Sequence, residues 1–507
     1  MLDNRYLFND NQIRDFIVNG YVTVKTNLPT SFHEYVYQQL NSVVEKEGNP
    51  GNNVLPRIPE IQEVFDQPVI RGAFTSILGP DYIMHPHRHP HHNSPGSEAQ
   101  GWHKDSYWGY LKMRNHRPWW AMAFYYPQDV AEDIGPTAVL PGTQYYCTGE
   151  HGNDEAGVPL FGGAGTVTII HYDLLHRAMA NRTDKNRFML KFQFIRMDAP
   201  KEPTWNNEMS AWSPVENGGP ALKPQTMWRH CWNWLSGRER LREKGSPPHN
   251  ANSSGNGNVS QWIKALRDEN PTHRLNAVDA LGRISDEASQ DAVPALIESL
   301  GDTQEAVGLD AAYALGEIGA HAVSLLIDAL NHESESVRRN AAYALSAAGA
   351  PAVPALEAAL EHKSDAVRGG AAFALGEIGS ATQDTVAKLS KLLKDPSEEV
   401  RQNMVEALGI IESPPKDVVP ALTDALGDSD AQVRFTAALS LTRIGTQAHE
   451  AVPALKAALN DENRYVRANA VDALHRIGTP EAQEALLHFL FAARWCPTTT
   501  KDNNFFP

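Results

Sequence analysis

The chain has 507 residues, with 45 Lys and Arg against 61 Asp and Glu and a formal net charge of −16. At ~150 residues per domain this length suits two or three domains, and 42% hydrophobic with 21% charged residues excludes disorder as the main state. Three scattered cysteines (Cys147, Cys231, Cys496) exclude a disulfide framework or a cysteine zinc site and point to a reducing, cytoplasmic compartment.

The charge is unevenly divided. Residues 1–250 hold 26 acidic and 24 basic residues, a net of −2, so 61−26=35 acidic and 45−24=21 basic residues remain, a net of −14. Neither half is basic, which disfavours nucleic-acid binding through phosphates. No apolar run approaches the ~18 residues of a membrane span, and MLDNRYLFND lacks the regions of a signal peptide.

In chain order, the first unusual stretch is MHPHRHPHHN at 84–93, with His85, His87, His89 and His91 at the alternation of one strand face and His92 beside them. Such a tract admits a metal-binding reading. Next comes Trp102-His103-Lys104-Asp105, an H-x-D pair. The aromatic residues around it (Trp102, Tyr107, Trp108, Tyr110, Trp119, Trp120) line either a cavity or ordinary core. Lys104, Lys112, Arg114 and Arg117 are read as a solvated surface in preference to an anion site.

The run GAGTVTIIHYDLLHRAMANRTDKNRFMLKFQF then places His176 71 residues after Asp105, and Arg187 eleven after His176. An H-x-D pair on a strand or its edge puts both side chains on one face, and a distant His completes a facial triad. Two imidazoles and one carboxylate leave three metal positions open, the pattern of non-haem Fe(II) oxygenases. FMLKFQF alternates like a half-buried strand, so Arg187 projects from a rigid wall. A guanidinium fixed there binds a carboxylate in bidentate fashion, as the far end of 2-oxoglutarate requires. His171 also has an arginine eleven residues on, Arg182, but His171 lies inside the apolar TVTII run and Arg182 in a polar turn. His176 is preferred.

From Ser246 to Asn258 the chain reads SPPHNANSSGNGN, a flexible linker. Nine of the eleven tryptophans precede it. Beyond it the sequence repeats: Val307, Val337 and Val367 are spaced by 30, and Val367, Val400, Val433 and Val466 by 33. Leu281, Leu315, Leu345, Leu375, Leu408, Leu441 and Leu474 keep step, and AVPAL recurs at 292–296, 352–356 and 451–455. The first phrase of each unit has helical spacing and ends near Gly, and the second carries Pro in its first turn. Two helices per unit make a solenoid. Arg338, Arg368, Arg401, Arg434 and Arg467 recur at one helical position, read as a ladder between neighbouring repeats rather than a ligand site.

Two resemblances follow from these residues. The units over about 260–490 resemble HEAT repeats, of the short kind found beside phycobilin lyases. PGSEAQGWHKDS, DIGPTAVLPGTQ at 133–144 and LLHRAMAN resemble the phytanoyl-CoA dioxygenase family of Fe(II)/2-oxoglutarate oxygenases over about 10–200. That resemblance implies a double-stranded β-helix (jelly-roll) with His103, Asp105 and His176 as iron ligands. It implies Arg187 on the distal carboxylate of 2-oxoglutarate, with Thr137 beside the same cosubstrate, and dioxygen as the oxidant. It also sets the histidine strand beside the active site, favouring pocket lining over a separate metal site. Thr143, Gln144 and Ala178 depart from the residues usual in the family without touching the triad.

The expected architecture is multidomain: a jelly-roll with flanking helices at 1–245, a linker at 246–258, an all-α HEAT-repeat solenoid of about seven units at 259–495 and a tail at 496–507. The expected function is a cytoplasmic dioxygenase hydroxylating a small-molecule substrate, since halogenases of this type lack the carboxylate that Asp105 provides. The family's substrates include acyl-CoAs, osmolytes and secondary metabolites, so the substrate stays open. The repeats are expected to fold autonomously and offer a surface to a protein partner; the alternative is that they pack on the oxygenase domain and stabilise it. A non-catalytic HEAT scaffold with a degenerate oxygenase domain is the rival function, and bilin-lyase-like activity a third.

Overall fold

The computed structural model describes residues 3–105, 113–147, 156–238, 259–284, 287–411 and 413–492. The linker 246–258, the tail 496–507 and Tyr107, Trp108, Tyr110 and Lys112 lie outside them.

The N-terminal half is built on two antiparallel sheets, as the jelly-roll expectation required. Five strands run in the order β1 (Tyr21–Lys25), β6 (Thr166–His171), β3 (Trp120–Tyr126), β8 (Arg187–Ile195), β2 (Ile83–Asn93). Three short ones run in the order β5 (Val158–Pro159), β4 (Thr137–Val139), β7 (His176–Ala178). A cluster including Phe124, Tyr126, Ile170, Met189, Val139 and Leu160 joins the two sheets.

Strand β8 shows how the sequence sets the layers. Phe188, Leu190, Phe192 and Phe194 face outward into the core formed with helices Thr30–Glu47 and Pro68–Leu78, with Phe194 packed 3.9 Å from the Phe74 ring. Met189 on the other face joins the cluster between the sheets, and by strand alternation Arg187, Lys191 and Gln193 share that face. All nine residues of β8 are buried, so the strand is covered on both sides rather than half-buried. Helices supply the second cover.

The C-terminal half is a solenoid of helix pairs from Val259 to Ala492. Its arginines form the expected ladder in part. Arg368, Arg401 and Arg434 each grip the aspartate of the next unit through two nitrogens (Asp395, Asp428 and Asp461, at 2.7–3.1 Å), and Arg274 does the same to Asp302. Arg338 and Arg467 bond backbone carbonyls of their own unit. At the aspartate position after Arg338 stands His362, whose Nδ1 takes the Ser364 N–H at 3.1 Å and so replaces the cap but not the charge.

The two halves share one apolar core, and the first helix of each repeat supplies the seam. From helix Glu305–Ile318, Asp310 accepts the Met227 N–H at 2.8 Å and so caps the tryptophan-rich helix Gln225–Leu235. Arg229 of that helix forks onto Glu317 (2.7 and 3.0 Å) and reaches Asp279 (3.1 Å). Tyr313 meets His116, Tyr343 meets the Arg114 carbonyl, Arg117 pairs with Glu377, Asn403 takes the Met113 N–H, Arg443 covers Trp119 and Arg476 forks onto Asp81. The repeats therefore pack along the sheet domain. Arg114 and Arg117 are seam residues, which corrects their reading as solvated surface. Lys104 is half-buried rather than solvated, donating to the carbonyls of Thr143 and Tyr146 at 2.7 and 2.6 Å.

Two outcomes follow for solution. Removing Arg229 strands two acids at the seam, so Arg229→Ala costs roughly 3 kcal/mol in urea unfolding; tryptophan fluorescence and helical circular dichroism of the full chain lose signal together, and separated transitions would disprove a shared core. Burial pushes His116 down to about 3, so it is neutral in the fold and charged when unfolded in acid. Its contribution is full above the unfolded value near 6.5 and is lost as pH falls toward 3. His116→Gln then lowers the proton uptake on unfolding near pH 5 by about one, read from urea stability at several pH values; an unchanged slope would contradict the assignment.

Candidate metal and anion site

His103 and His176 exchange backbone hydrogen bonds, with N···O distances of 3.1 and 3.0 Å, in an isolated bridge rather than a full strand. This brings their ring centroids to 4.5 Å. Asp105 follows His103, and its Oδ2 lies 3.5 Å from His176 Nε2. One ligand atom from each of His103, Asp105 and His176 lies within 4.8 Å of the others, the one such group among the described residues.

Local geometry fixes both rings. His103 Nδ1 donates to the Gly101 carbonyl and His176 Nδ1 to the Leu174 carbonyl, each at 3.0 Å. A neutral imidazole that donates from Nδ1 offers the Nε2 lone pair, as a ligand must. Burial, the larger cause, pushes His176 down to about 4 despite the Asp105 charge, so it is a neutral donor at pH 7. This donor set fits Fe(II).

The anion side is equally constrained. Arg187 is fully buried, its Nε donates to the Gly135 carbonyl at 2.8 Å, and both terminal nitrogens lack a partner among the described residues. Gly135 has φ +75°, and a Cβ there would meet the Met179 carbonyl oxygen at 2.7 Å, so only glycine brings that carbonyl to the guanidinium. Thr137 Oγ1 is likewise buried and unpartnered, while its N–H donates to Tyr126 Oη at 3.1 Å. A buried guanidinium with unpartnered nitrogens is costly, and two parallel N–H groups match a carboxylate.

One contact was missed at the level of sequence. Lys191, 1% exposed, donates to Asp105 Oδ2 at 2.7 Å. The signal was present: Lys191 stands four residues after Arg187 on an alternating strand, so it shares Arg187's face.

The rivals separate cleanly. His171 lies outside the ligand group, its Nδ1 taking the Asp173 N–H at 3.2 Å and its ring between Phe16 and Tyr145. Arg182 is spent on exposed Glu98. His85 is fully buried against Trp120 and Phe435, whereas His87, His89 and His91 all feel the charges of Asp105 and Lys191. They line the site. Trp102 lies under Arg177 and Trp120 meets Tyr172 at a tilt of 48°, while Trp119 is seam core. Thr143 holds the turn behind His176, donating to the Leu140 carbonyl and accepting from the Leu175 N–H. Gln144 turns away to the Ile17 carbonyl.

Residues 38–189 match the family model described as phytanoyl-CoA dioxygenase (PhyH). The model described as HEAT repeats matches 259–346, 323–394, 386–449 and 419–493. No curated protein matches the chain. Among solved structures it is similar to a non-heme monooxygenase, ThoJ, as its nickel complex (18% identity, 45% of this chain and 97% of that one, TM-score 0.30). Others are an engineered protein (24%, 46% and 71%, 0.29) and the non-heme alpha ketoglutarate dependent carbocyclase SnoK from nogalamycin biosynthesis (18%, 43% and 97%, 0.32). The chain thus joins a segment of phytanoyl-CoA dioxygenase type to a run of HEAT repeats.

Proposed function

We propose that the protein is an Fe(II)- and 2-oxoglutarate-dependent dioxygenase that hydroxylates a small molecule, with His103, Asp105 and His176 holding the metal. The observation that carries this reading is the pair of buried, unpartnered Arg187 nitrogens in the domain that also gathers the three ligand atoms. A degenerate scaffold would have no use for an uncompensated cation in its core. The bound metal, with 2-oxoglutarate and dioxygen, supplies the oxidation of a substrate C–H bond coupled to decarboxylation of the cosubstrate to succinate.

The chain's own residues do the rest. Arg187 binds the distal carboxylate, and Thr137 donates to the same group. The Gly101 and Leu174 carbonyls keep both imidazoles in the ligating tautomer. Lys191 orients Asp105, and the sheet walls exclude water, which strengthens each of these interactions. We assign 1–245 to the oxygenase domain and 259–495 to the repeats, in a cytoplasmic protein. Repeat surface away from the seam is left for a protein partner.

His103→Ala, Asp105→Ala or His176→Ala weakens binding of Fe(II) or Ni(II) by at least about a hundredfold in a calorimetric titration, and His171→Ala leaves it intact; the reverse pattern would move the distal ligand. Wild type releases succinate only with both Fe(II) and 2-oxoglutarate. Arg187→Ala loses ~2–5 kcal/mol of cosubstrate binding, read as a raised KM for 2-oxoglutarate with metal affinity unchanged. Undiminished affinity for 2-oxoglutarate in that variant would remove the support for this cosubstrate.

A further inference from the structure

Two residues beyond Lys191 on β8 stands Gln193, fully buried, with no hydrogen-bond partner for either amide atom among the described residues. It pairs in register with Met122 on β3 and His85 on β2. Met122 belongs to the cluster between the sheets, so Gln193 shares the face of Arg187 and Lys191. At ~3.4 Å per residue, Arg187 lies ~13 Å from Lys191 along the strand and Gln193 ~7 Å beyond it. Gln193 therefore stands past the Asp105 contact, on the side away from the anion site. His85 Nδ1 accepts the His87 N–H at 3.2 Å, and burial keeps the ring neutral, so its hydrogen is on Nε2. Gln193 acts on that ring, and an N–H draws the oxygen of an amide. The NH2 is the end left over. A pair of donors sealed from water with no acceptor is costly, and an apolar side chain would fill the same place without that cost.

Aromatic rings stand round this amide. Trp120 is two residues from Met122 on β3 and so faces the same way. Its ring meets His85 edge-on at 5.2 Å and Tyr172 at 5.5 Å, and the Tyr172 hydroxyl donates to the Asp105 carbonyl at 3.1 Å. Trp120 and Tyr172 are half-buried, so both keep ring surface to offer. The cations of β8 are matched, Lys191 by Asp105 and, on the reading above, Arg187 by the cosubstrate. What remains on this side is uncharged: flat apolar faces and one amide donor.

We propose that Gln193 is a specificity-determining residue, whose NH2 donates to a carbonyl oxygen of an uncharged, planar substrate lying against Trp120 and Tyr172. This rests on the dioxygenase reading for the reaction at that site, and its test uses binding alone. The full chain is dialysed to equilibrium at pH 7 with coumarin, a planar carbonyl probe, and in parallel with naphthalene, which has the same fused outline and no oxygen. One coumarin binds per chain. Trp120→Leu weakens both probes, whereas Gln193→Leu weakens coumarin about three- to tenfold and leaves naphthalene unchanged. Equal effects of Gln193→Leu on the two probes mark a structural amide and overturn the proposal. So does failure of coumarin to bind, or binding that Trp120→Leu leaves unchanged, which places the probe elsewhere. Should Gln193→Leu fail to fold, Gln193→Met carries the same comparison with an unbranched side chain. Wild type is titrated separately with 2-oxoglutarate and Ni(II); failure there overturns the dioxygenase reading and leaves the probe result standing.

Discussion

Strand β8 carries two cations, Arg187 and Lys191, on one face and almost entirely out of water. Placing a single unpaired charge in such a site costs several kcal/mol. The fold must therefore bring anions to both, and Asp105 answers for Lys191 at 2.7 Å. Nothing among the described residues answers for the terminal nitrogens of Arg187. A scaffold selected only for stability would replace that guanidinium with an apolar side chain of similar volume. Its retention is the strongest physical sign that the chain binds an anion there, and it explains why Gly135 must be glycine and Thr137 must turn an hydroxyl inward.

Alternation makes this arrangement affordable in one short strand. Four aromatic and aliphatic side chains of β8 enter the helical core, while the polar set faces the other sheet. A one-residue slip would exchange the two sets and bury Phe188 in the site. Register is held by pairing on both sides, to β3 and to β2. The single break, between His85 and Arg88, is where the repeats touch the strand. There the acidic solenoid presents Tyr465, and Asp472 offsets the charge of Arg88, so part of the negative excess of the C-terminal half is consumed at the seam.

The sequence made the local periodicities legible and left the long-range ones hidden. His103, Asp105, His176 and Arg187 could be picked out because ligand chemistry demands particular residue types at particular strand phases. The arginine ladder was readable because it recurs every 30 or 33 residues. The seam was not. His116, Arg117, Arg229 and Asp310 look like ordinary loop and helix residues until a partner 50 to 260 positions away covers them. A Pro-, Ser- and Gly-rich linker argues for independence of its two neighbours, yet linker composition says nothing about whether their surfaces fit. Lys191 was hidden for a different reason, since a lysine in a strand is ordinarily read as its solvated edge.

The seam changes what the repeats mean. A free solenoid exposes its first helices to whatever binds, but here those helices cap Met227, fork Arg229 and stack on His85. Because β2 forms the edge of the five-stranded sheet, it would otherwise present unpaired backbone beside the site. Part of that edge backbone is met by Asn52, which accepts the Arg88 N–H at 3.2 Å, and Asn49, which donates to the Pro90 carbonyl at 2.8 Å, while Tyr465 and Phe435 pack on the His85 ring. Stability of the two halves is then coupled: a substitution that loosens the seventh repeat also removes the contacts of Tyr465 with His85 and His87. The solenoid is in this sense part of the sheet domain's own packing, and changes in its last repeats act on the strand that runs beside Lys191 and Asp105.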